Sequence, residues 1–242
     1  MKVVIYGGNG MLGPHVVKAL EGRVSLRITD LEPFETFHEM IPVDVADPEA
    51  VMRAAEGMDA IINLSVLRPH RKIAFDVNTL GCYNMMRAAV KNGIRRVINT
   101  GPYYTLQGDP YMNWDHHIGP DLPPRPGTGL YVLSKGLGQE ICRVFTSNFD
   151  VHVLCYLFWS FRDHDPSAQP VHDRSFIVTW RDAADAFLPG LRIPLERLPS
   201  RCEVFDILGD RPHGHFTNEK ARRVLGWQPR DGLEYTYMKK PV

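Results

Sequence analysis

Val3-Val4-Ile5-Tyr6-Gly7-Gly8-Asn9-Gly10-Met11-Leu12-Gly13 sets the architecture of this chain. The first four residues form an unbroken β-prone apolar run, the pattern of a strand buried on both faces. The glycine-rich turn follows at once, and Val16-Val17 with Ala19-Leu20 then recur at helical spacing. A second strand, Val24-Ser25-Leu26-Arg27-Ile28-Thr29, is closed by Asp30. Strand, glycine turn, helix, strand and terminal acid together make a dinucleotide-binding unit. The glycines fit two registers, G-x-G-x-x-G from Gly8 and G-x-x-G-x-x-G from Gly7, and in either one the loop carrying Gly7, Gly10, Met11, Leu12 and Gly13 brings backbone close to a pyrophosphate at the helix N-terminus. Asp30 stands 20 residues after Gly10, where a carboxylate accepts hydrogen bonds from the adenosine ribose. It would repel a 2′-phosphate, so NAD is expected in preference to NADP.

Working outward, apolar strands alternate with amphipathic helices. Asp47 starts a short helix at Pro48, Ala60 to Leu64 reads as a buried strand, and Ile73 to Lys91 as a long helix ending at Gly93. Arg96 to Thr100 is a further strand, Gly101 to Gly129 a long Gly-, Pro- and His-rich loop, Tyr131 to Ser147 a helix, and Val151 to Cys155 a strand. Helices are expected near Arg181 to Pro189 and Thr217 to Leu225. This alternation specifies α/β architecture, a doubly wound parallel (Rossmann) sheet. Residues 1–155 are expected to form the dinucleotide-binding domain, and residues 156–242 a small C-terminal substrate-binding lobe that completes the fold.

The 242 residues carry 28 Lys+Arg and 28 Asp+Glu, a balance that argues against nucleic acid or an acidic membrane surface as partner. At 44% hydrophobic and 23% charged, the composition excludes a disordered chain. The four cysteines are scattered without a CxxC pair, and none of the ten histidines has metal-ligand spacing, so free thiols and no metal are expected. No apolar run approaches the ~20 residues that span a bilayer, and no signal peptide is visible, which makes the cytoplasm the expected compartment.

Tyr131-Val132-Leu133-Ser134-Lys135 sets a phenol and an ammonium on one face of a helix start. A phenol ionises near pH ~10, too high for a base at neutral pH, and an adjacent cation brings it toward the working range.

The whole pattern resembles the extended short-chain dehydrogenase/reductase family, in its NAD-dependent epimerase/dehydratase group. Gly7, Gly10 and Gly13 match the glycine motif, and Asp30 the ribose acid. Asp44-Val45 matches the pair that meets the adenine, Leu64-Ser65 the strand-four segment beside the cofactor, and Asn78 the asparagine of V-N-x-x-G. Tyr131 and Lys135 match the catalytic pair, and Arg162, Arg174 and Trp180 fall where the family's small lobe faces the cofactor, as candidate ligands for a carboxylate or sugar ring. Phe176 to Ala184 and Lys220 to Pro229, the latter read as "kA-x-x-x-LGw-x-P", match segments that mark extended members. The resemblance implies hydride transfer at a hydroxyl of a sugar or nucleotide sugar, ending in oxidation, epimerisation or dehydration. Tyr131 would be the acid/base, Lys135 would hold the nicotinamide ribose, and the protein would be a homodimer. In compactness it is similar to uronate dehydrogenases and other small sugar oxidoreductases. One departure stands out: the usual substrate-binding serine after the fifth strand is Gly101, leaving Thr100, Tyr103 and Thr105 as replacement hydroxyls. That gap motivates a competing expectation, a cofactor-binding sensor or scaffold with little turnover.

Overall fold

The computed structural model describes residues 1–103, 117–164, 176–211 and 214–233. Among the described residues, seven strands form one parallel sheet: β1 (Lys2–Tyr6), β2 (Ser25–Asp30), β3 (Glu39–Pro42), β4 (Ala60–Asn63), β5 (Arg96–Pro102), β6 (His152–Phe158) and β9 (Cys202–Asp206). Their spatial order is β3-β2-β1-β4-β5-β6-β9, so the strand order reverses between β1 and β4. Ligands bind in the crevice at such a switch point, outside the carboxyl ends of the strands. The helices are α1 (Gly13–Leu20), α2 (Pro48–Ala55), α3 (Arg71–Phe75), α4 (Gly81–Lys91) and α5 (Leu130–Asn148). A wide helical turn over Asp76–Leu80 joins α3 to α4, so the long helix expected from Ile73 is present with an irregularity at its start.

Both faces of the sheet are covered, as the uninterrupted apolar run in β1 requires. Val3, Val4, Ile5 and Tyr6 are fully buried, and alternate residues feed two separate cores. Each such aliphatic side chain contributes roughly 1.5–3 kcal/mol of burial. Tyr6 keeps its hydroxyl satisfied by donating to the Val51 carbonyl at 2.7 Å. α2 starts where expected, because the Asp47 carboxylate accepts from the amides of Glu49 and Ala50.

The C-terminal part does two things. β9 extends the main sheet beside β6, whose span includes residue 155, and the two-stranded ribbon β7 (Ser160–Arg162) and β8 (Ile177–Thr179) leads into α6 (Trp180–Asp185) and α7 (Phe187–Arg192). Buried Asp182 accepts from the amides of Arg230 and Asp231, both at 2.9 Å, while the Trp227 indole donates to the Asp182 carbonyl at 3.0 Å. Two sequence segments far apart are thus locked together by one carboxylate, which fixes α6 and with it Trp180 at the cleft. Arg96 ties the same region to β5: its guanidinium donates to the carbonyls of Gly190 and Ile193 at the end of α7.

Candidate active site

The glycine turn is shaped by contacts that leave no room for side chains. Gly7 has φ +79°, and a Cβ there would lie 2.7 Å from the Ser65 backbone. A Cβ on Gly13 would lie 2.1 Å from the Gly8 carbonyl oxygen, so α1 starts directly against the turn. The amides of Gly7 and Gly8 both donate to the Thr29 carbonyl. Asp30 then closes the loop: its carboxylate accepts from the Asn9 amide at 2.9 Å and the Leu31 amide at 2.8 Å. Each oxygen retains lone-pair capacity for a further donor.

Beside this turn opens a cleft of about 670 Å³, lined by Gly7, Gly10, Met11 and Leu12 at one end. Leu64, Thr100, Gly101, Tyr131 and Lys135 form its middle, and Phe158 to Arg162 with Trp180 its far end. Lys135 is buried, and its ammonium donates to the carbonyls of Ser65 at 2.8 Å and Thr100 at 3.2 Å. Burial pulls its pKa down to about 8. An ammonium has three donors, so one direction remains after these two bonds. Tyr131 lies one helical turn earlier on α5, half-buried on the cleft wall, and the Arg68 guanidinium covers its ring at 5.1 Å from the centroid.

The remaining expected residues divide between the cleft and its supports. Ser65 supplies a carbonyl to Lys135, and its hydroxyl donates to Asn63 Oδ1 at 2.5 Å. Thr100 lines the cleft, but its hydroxyl donates to the Asn63 carbonyl at 2.8 Å. Asn78 does not line the cleft: its amide donates to the Leu67 carbonyl and the Ser134 hydroxyl, and its Oδ1 accepts from the Leu67 amide. Val45 is buried against Gly81, and its carbonyl accepts from Asn84, while exposed Asp44 accepts from the Ala46 amide. Arg162 lines the far end, donating to the Phe161 carbonyl.

The structure places Tyr103 away from the described cleft wall. Its ring is buried between Trp159 and Phe176, with centroids at 4.5 and 5.2 Å, and Phe216 meets it edge-on. The aromatic cluster that the small lobe brings to the end of β5 claims this side chain. Thr105 and Arg174 lie outside the described residues.

At Gly101 a Cβ would meet the Gln139 side-chain amide nitrogen at 2.3 Å, so a side chain there would have to displace the end of Gln139. Gln139 stands one turn beyond Lys135 on α5, and the end of its flexible side chain fills the space beside Gly101. Sequence reasoning missed Arg68, which has no motif around it, and the partners of Trp180: His15 and Phe161 stack on its ring, with centroids 5.1 and 4.3 Å away. Those rings come from three separate segments, and only the fold brings them together.

A reversed-order parallel sheet, a glycine turn at its switch point, and a Tyr/Lys pair on the following helix define a dinucleotide-dependent oxidoreductase of the short-chain type. Residues 3–158 match the NAD dependent epimerase/dehydratase family, and the chain belongs to that family. It is similar to the NAD-dependent glucose-6-phosphate dehydrogenase of Haloferax volcanii, 25% identical over 265 residues covering 99% of this chain and 97% of that protein. It is also similar to the uronate dehydrogenase of Agrobacterium fabrum, 31% identical over 199 residues that cover 81% of this chain and 70% of that one. Among solved structures, uronate dehydrogenase from Agrobacterium tumefaciens superposes with a TM-score of 0.82 at 25% identity, covering 100% of this chain and 90% of that one. The family's NAD-dependent chemistry makes this chain an oxidoreductase, and the main expectation stands over a sensor or scaffold.

The residues present fit NAD. The side-chain-free turn at Gly7 and Gly13 exposes backbone to a pyrophosphate, Asp30 offers acceptors to ribose hydroxyls, and Lys135 has a donor to spare. Among the described residues no helix is long and apolar enough to cross a membrane, and no group of three side chains could hold a metal ion.

Proposed function

We propose that the protein oxidises a hydroxyl of a small anionic sugar, a sugar acid or sugar phosphate, with NAD. The observation that carries this reading is the charge of the cleft: Arg68, Lys135 and Arg162 line it, and no carboxylate does among the described residues. In a chain of zero net charge, that concentration of cations is local and selects an anion. The names of the relatives, a uronate dehydrogenase and a glucose-6-phosphate dehydrogenase, support the same class.

In this reading Tyr131, as phenolate, takes the proton of the substrate hydroxyl. Lys135 stabilises the phenolate and donates to the nicotinamide ribose. Bound NAD supplies the acceptor for the hydride that leaves the same carbon. Met11 and Leu12 line the cofactor end, Leu64 and Ser65 border the nicotinamide side, and Asp44 and Val45 lie toward the adenine. Phe161 and Trp180, stacked on each other, give the far end an apolar wall for a sugar ring, and Arg162 reaches for its anionic group. Asn78 serves the site by holding the Leu67 backbone to α5. Tyr83 on α4 and Leu137 and Val144 on α5 are exposed apolar side chains that suit a homodimer face, and four free cysteines suit a reducing cytoplasm.

The test is NAD reduction measured across hexuronates, hexose phosphates and neutral aldoses. Anionic sugars should exceed their neutral counterparts in kcat/KM by at least about tenfold, the worth of one charged hydrogen bond. Equal or higher values for neutral aldoses would overturn the substrate class.

A further inference from the structure

The segment between β4 and α3 carries Arg68 into the cleft, and its placement is not casual. Asn78 grips the Leu67 backbone from both sides, accepting from its amide at 3.1 Å and donating to its carbonyl at 2.7 Å. The second N–H of the same amide donates to the Ser134 hydroxyl at 3.0 Å, and Ser134 in turn donates to the Tyr131 carbonyl at 3.0 Å. A short hydrogen-bond chain therefore runs from Leu67 through Asn78 and Ser134 to Tyr131. The guanidinium one residue beyond Leu67 lies over the ring at the other end of that chain.

Arg68 makes no ion pair with any described residue, although it is exposed and many surface arginines of this protein have carboxylate partners. Among the described residues, the charged groups that share the cleft with Tyr131 are Lys135 from α5, Arg68 from the β4–α3 segment and Arg162 from β7. On α3, Lys72 and Asp76 pair with each other. Nothing acidic among the described lining residues offsets Arg68.

We infer that Arg68 is a positioning residue for the reaction, a second cation on the Tyr131 phenol, set over the ring by the Asn78–Ser134 chain so that the phenolate forms at lower pH. The inference rests on Tyr131 being the group that exchanges the proton. Its physical basis is that a cation over the ring face favours the phenolate over the phenol. The two cations divide the work by pH. Burial, with the Arg68 charge acting in the same direction, holds Lys135 near a pKa of about 8, so its ammonium progressively loses charge above that point. A guanidinium keeps its charge throughout and sustains the phenolate on the alkaline side.

The ionisation of Tyr131 can be read without substrate, in protein carrying tyrosine labelled with ¹³C at Cζ. The Tyr131 resonance is assigned by its absence in Tyr131→Phe. In Arg68→Met, which keeps the chain length and removes the charge, the midpoint should rise by about half to one pH unit. Arg68→Lys should recover most of that shift, and 0.5 M salt should shrink it, since the guanidinium is exposed. An Arg68→Met midpoint equal to that of the native protein, with an unchanged melting temperature, overturns the inference. So does a midpoint that rises equally in Arg68→Met and Arg68→Lys, because lost packing would then be the cause. Failure of the wider reading looks different: Tyr131→Phe would keep its turnover, whatever the titration of Tyr131 shows.

Discussion

At the glycine-turn end, the cleft wall is Gly7, Gly10, Met11 and Leu12, all within one strand–turn–helix unit of contiguous sequence. At the far end the wall is side chains, Phe158 to Arg162 from β6 and β7 and Trp180 from α6. The first end is specified by exclusion, since a side chain at Gly13 collides with main chain. The second is specified by packing between distant segments, held by Asp182 and by the His15–Trp180–Phe161 stack. Tyr131 and Lys135 stand between them. A substitution at one end should therefore alter cofactor binding and leave the far end alone, and the Tyr/Lys pair should be where the two effects separate most cleanly.

The largest expected effect lies at that junction. Tyr131→Phe removes one oxygen and keeps the ring under Arg68, so turnover should fall by about 10²–10⁴-fold with NAD affinity unchanged within about twofold. Steady-state rates and fluorescence titration with NAD check both halves. Retained turnover would remove Tyr131 as the acid/base, and lost NAD binding would make the tyrosine a structural member of the cofactor end.

Next in size is Gly13→Ala. Its Cβ would meet the Gly8 carbonyl, which cannot give way without moving the turn, so stability should drop by about 1–3 kcal/mol and NAD affinity by at least about tenfold. Gly10→Ala sharpens the comparison, because a Cβ there meets only the Gly7 carbonyl at 3.3 Å while the residue lines the cleft. Its melting temperature should stay near the native value while NAD binding weakens. Equal thermal losses in the two variants would contradict the division between turn packing and ligand approach.

Lys135→Met yields an effect that reverses with pH. With its pKa held near 8 in the fold and at the ordinary 10.5 when unfolded, Lys135 leaves the unfolded chain with the extra proton across that window. Native stability from this group thus rises with pH between about 8 and 10.5, and the full penalty of a buried charge is present below 8. That penalty is roughly 3 kcal/mol, against about 1 kcal/mol for each of the two carbonyl partners lost in the variant. Lys135→Met should melt about 2–4 °C higher than the native protein at pH 7 and lower than it at pH 10.5, while binding NAD more weakly at pH 7. A melting difference independent of pH would remove the charge-burial argument.

How far the sequence could be read follows the same division. β1, the glycine turn, α1, β2 and Asp30 are contiguous, and their geometry is dictated by local sterics, so each could be placed from residue type and spacing. Tyr131 and Lys135 were legible because helical periodicity fixes their common face. Arg68 was not, since nothing in Leu67-Arg68-Pro69 reveals that Asn78, 11 residues on, holds this segment against α5. Tyr103 is the opposite case. A tyrosine in a Gly- and Pro-rich stretch after a strand looks available, yet Trp159, Phe176 and Phe216 converge on it from the far end of the chain. Gly101 was legible as an anomaly, but its neighbour Gln139, from the facing helix, comes from 38 residues further along the chain and leaves no local signal.

The smallest effect concerns Asp30, where charge and hydrogen bonding can be separated. The carboxylate holds the Asn9 amide and so shapes the glycine turn, and its charge opposes a 2′-phosphate. Asp30→Asn keeps an acceptor for Asn9 and removes the charge, whereas Asp30→Ala removes both. In Asp30→Asn, NAD affinity should fall by about threefold and the ratio favouring NAD over NADP by about tenfold, in line with one exposed charge contact. Asp30→Ala should narrow the ratio as much but lose a further few-fold in binding of both cofactors, because the Asn9 amide then lacks its anchor. Raising the salt concentration should narrow the native preference toward that of Asp30→Asn, since the repulsion is screened while the hydrogen bond is not. Tighter binding of NADP than NAD by the native protein would refute the electrostatic account. A preference unchanged in Asp30→Asn would instead move discrimination from the carboxylate to the shape of the turn it holds.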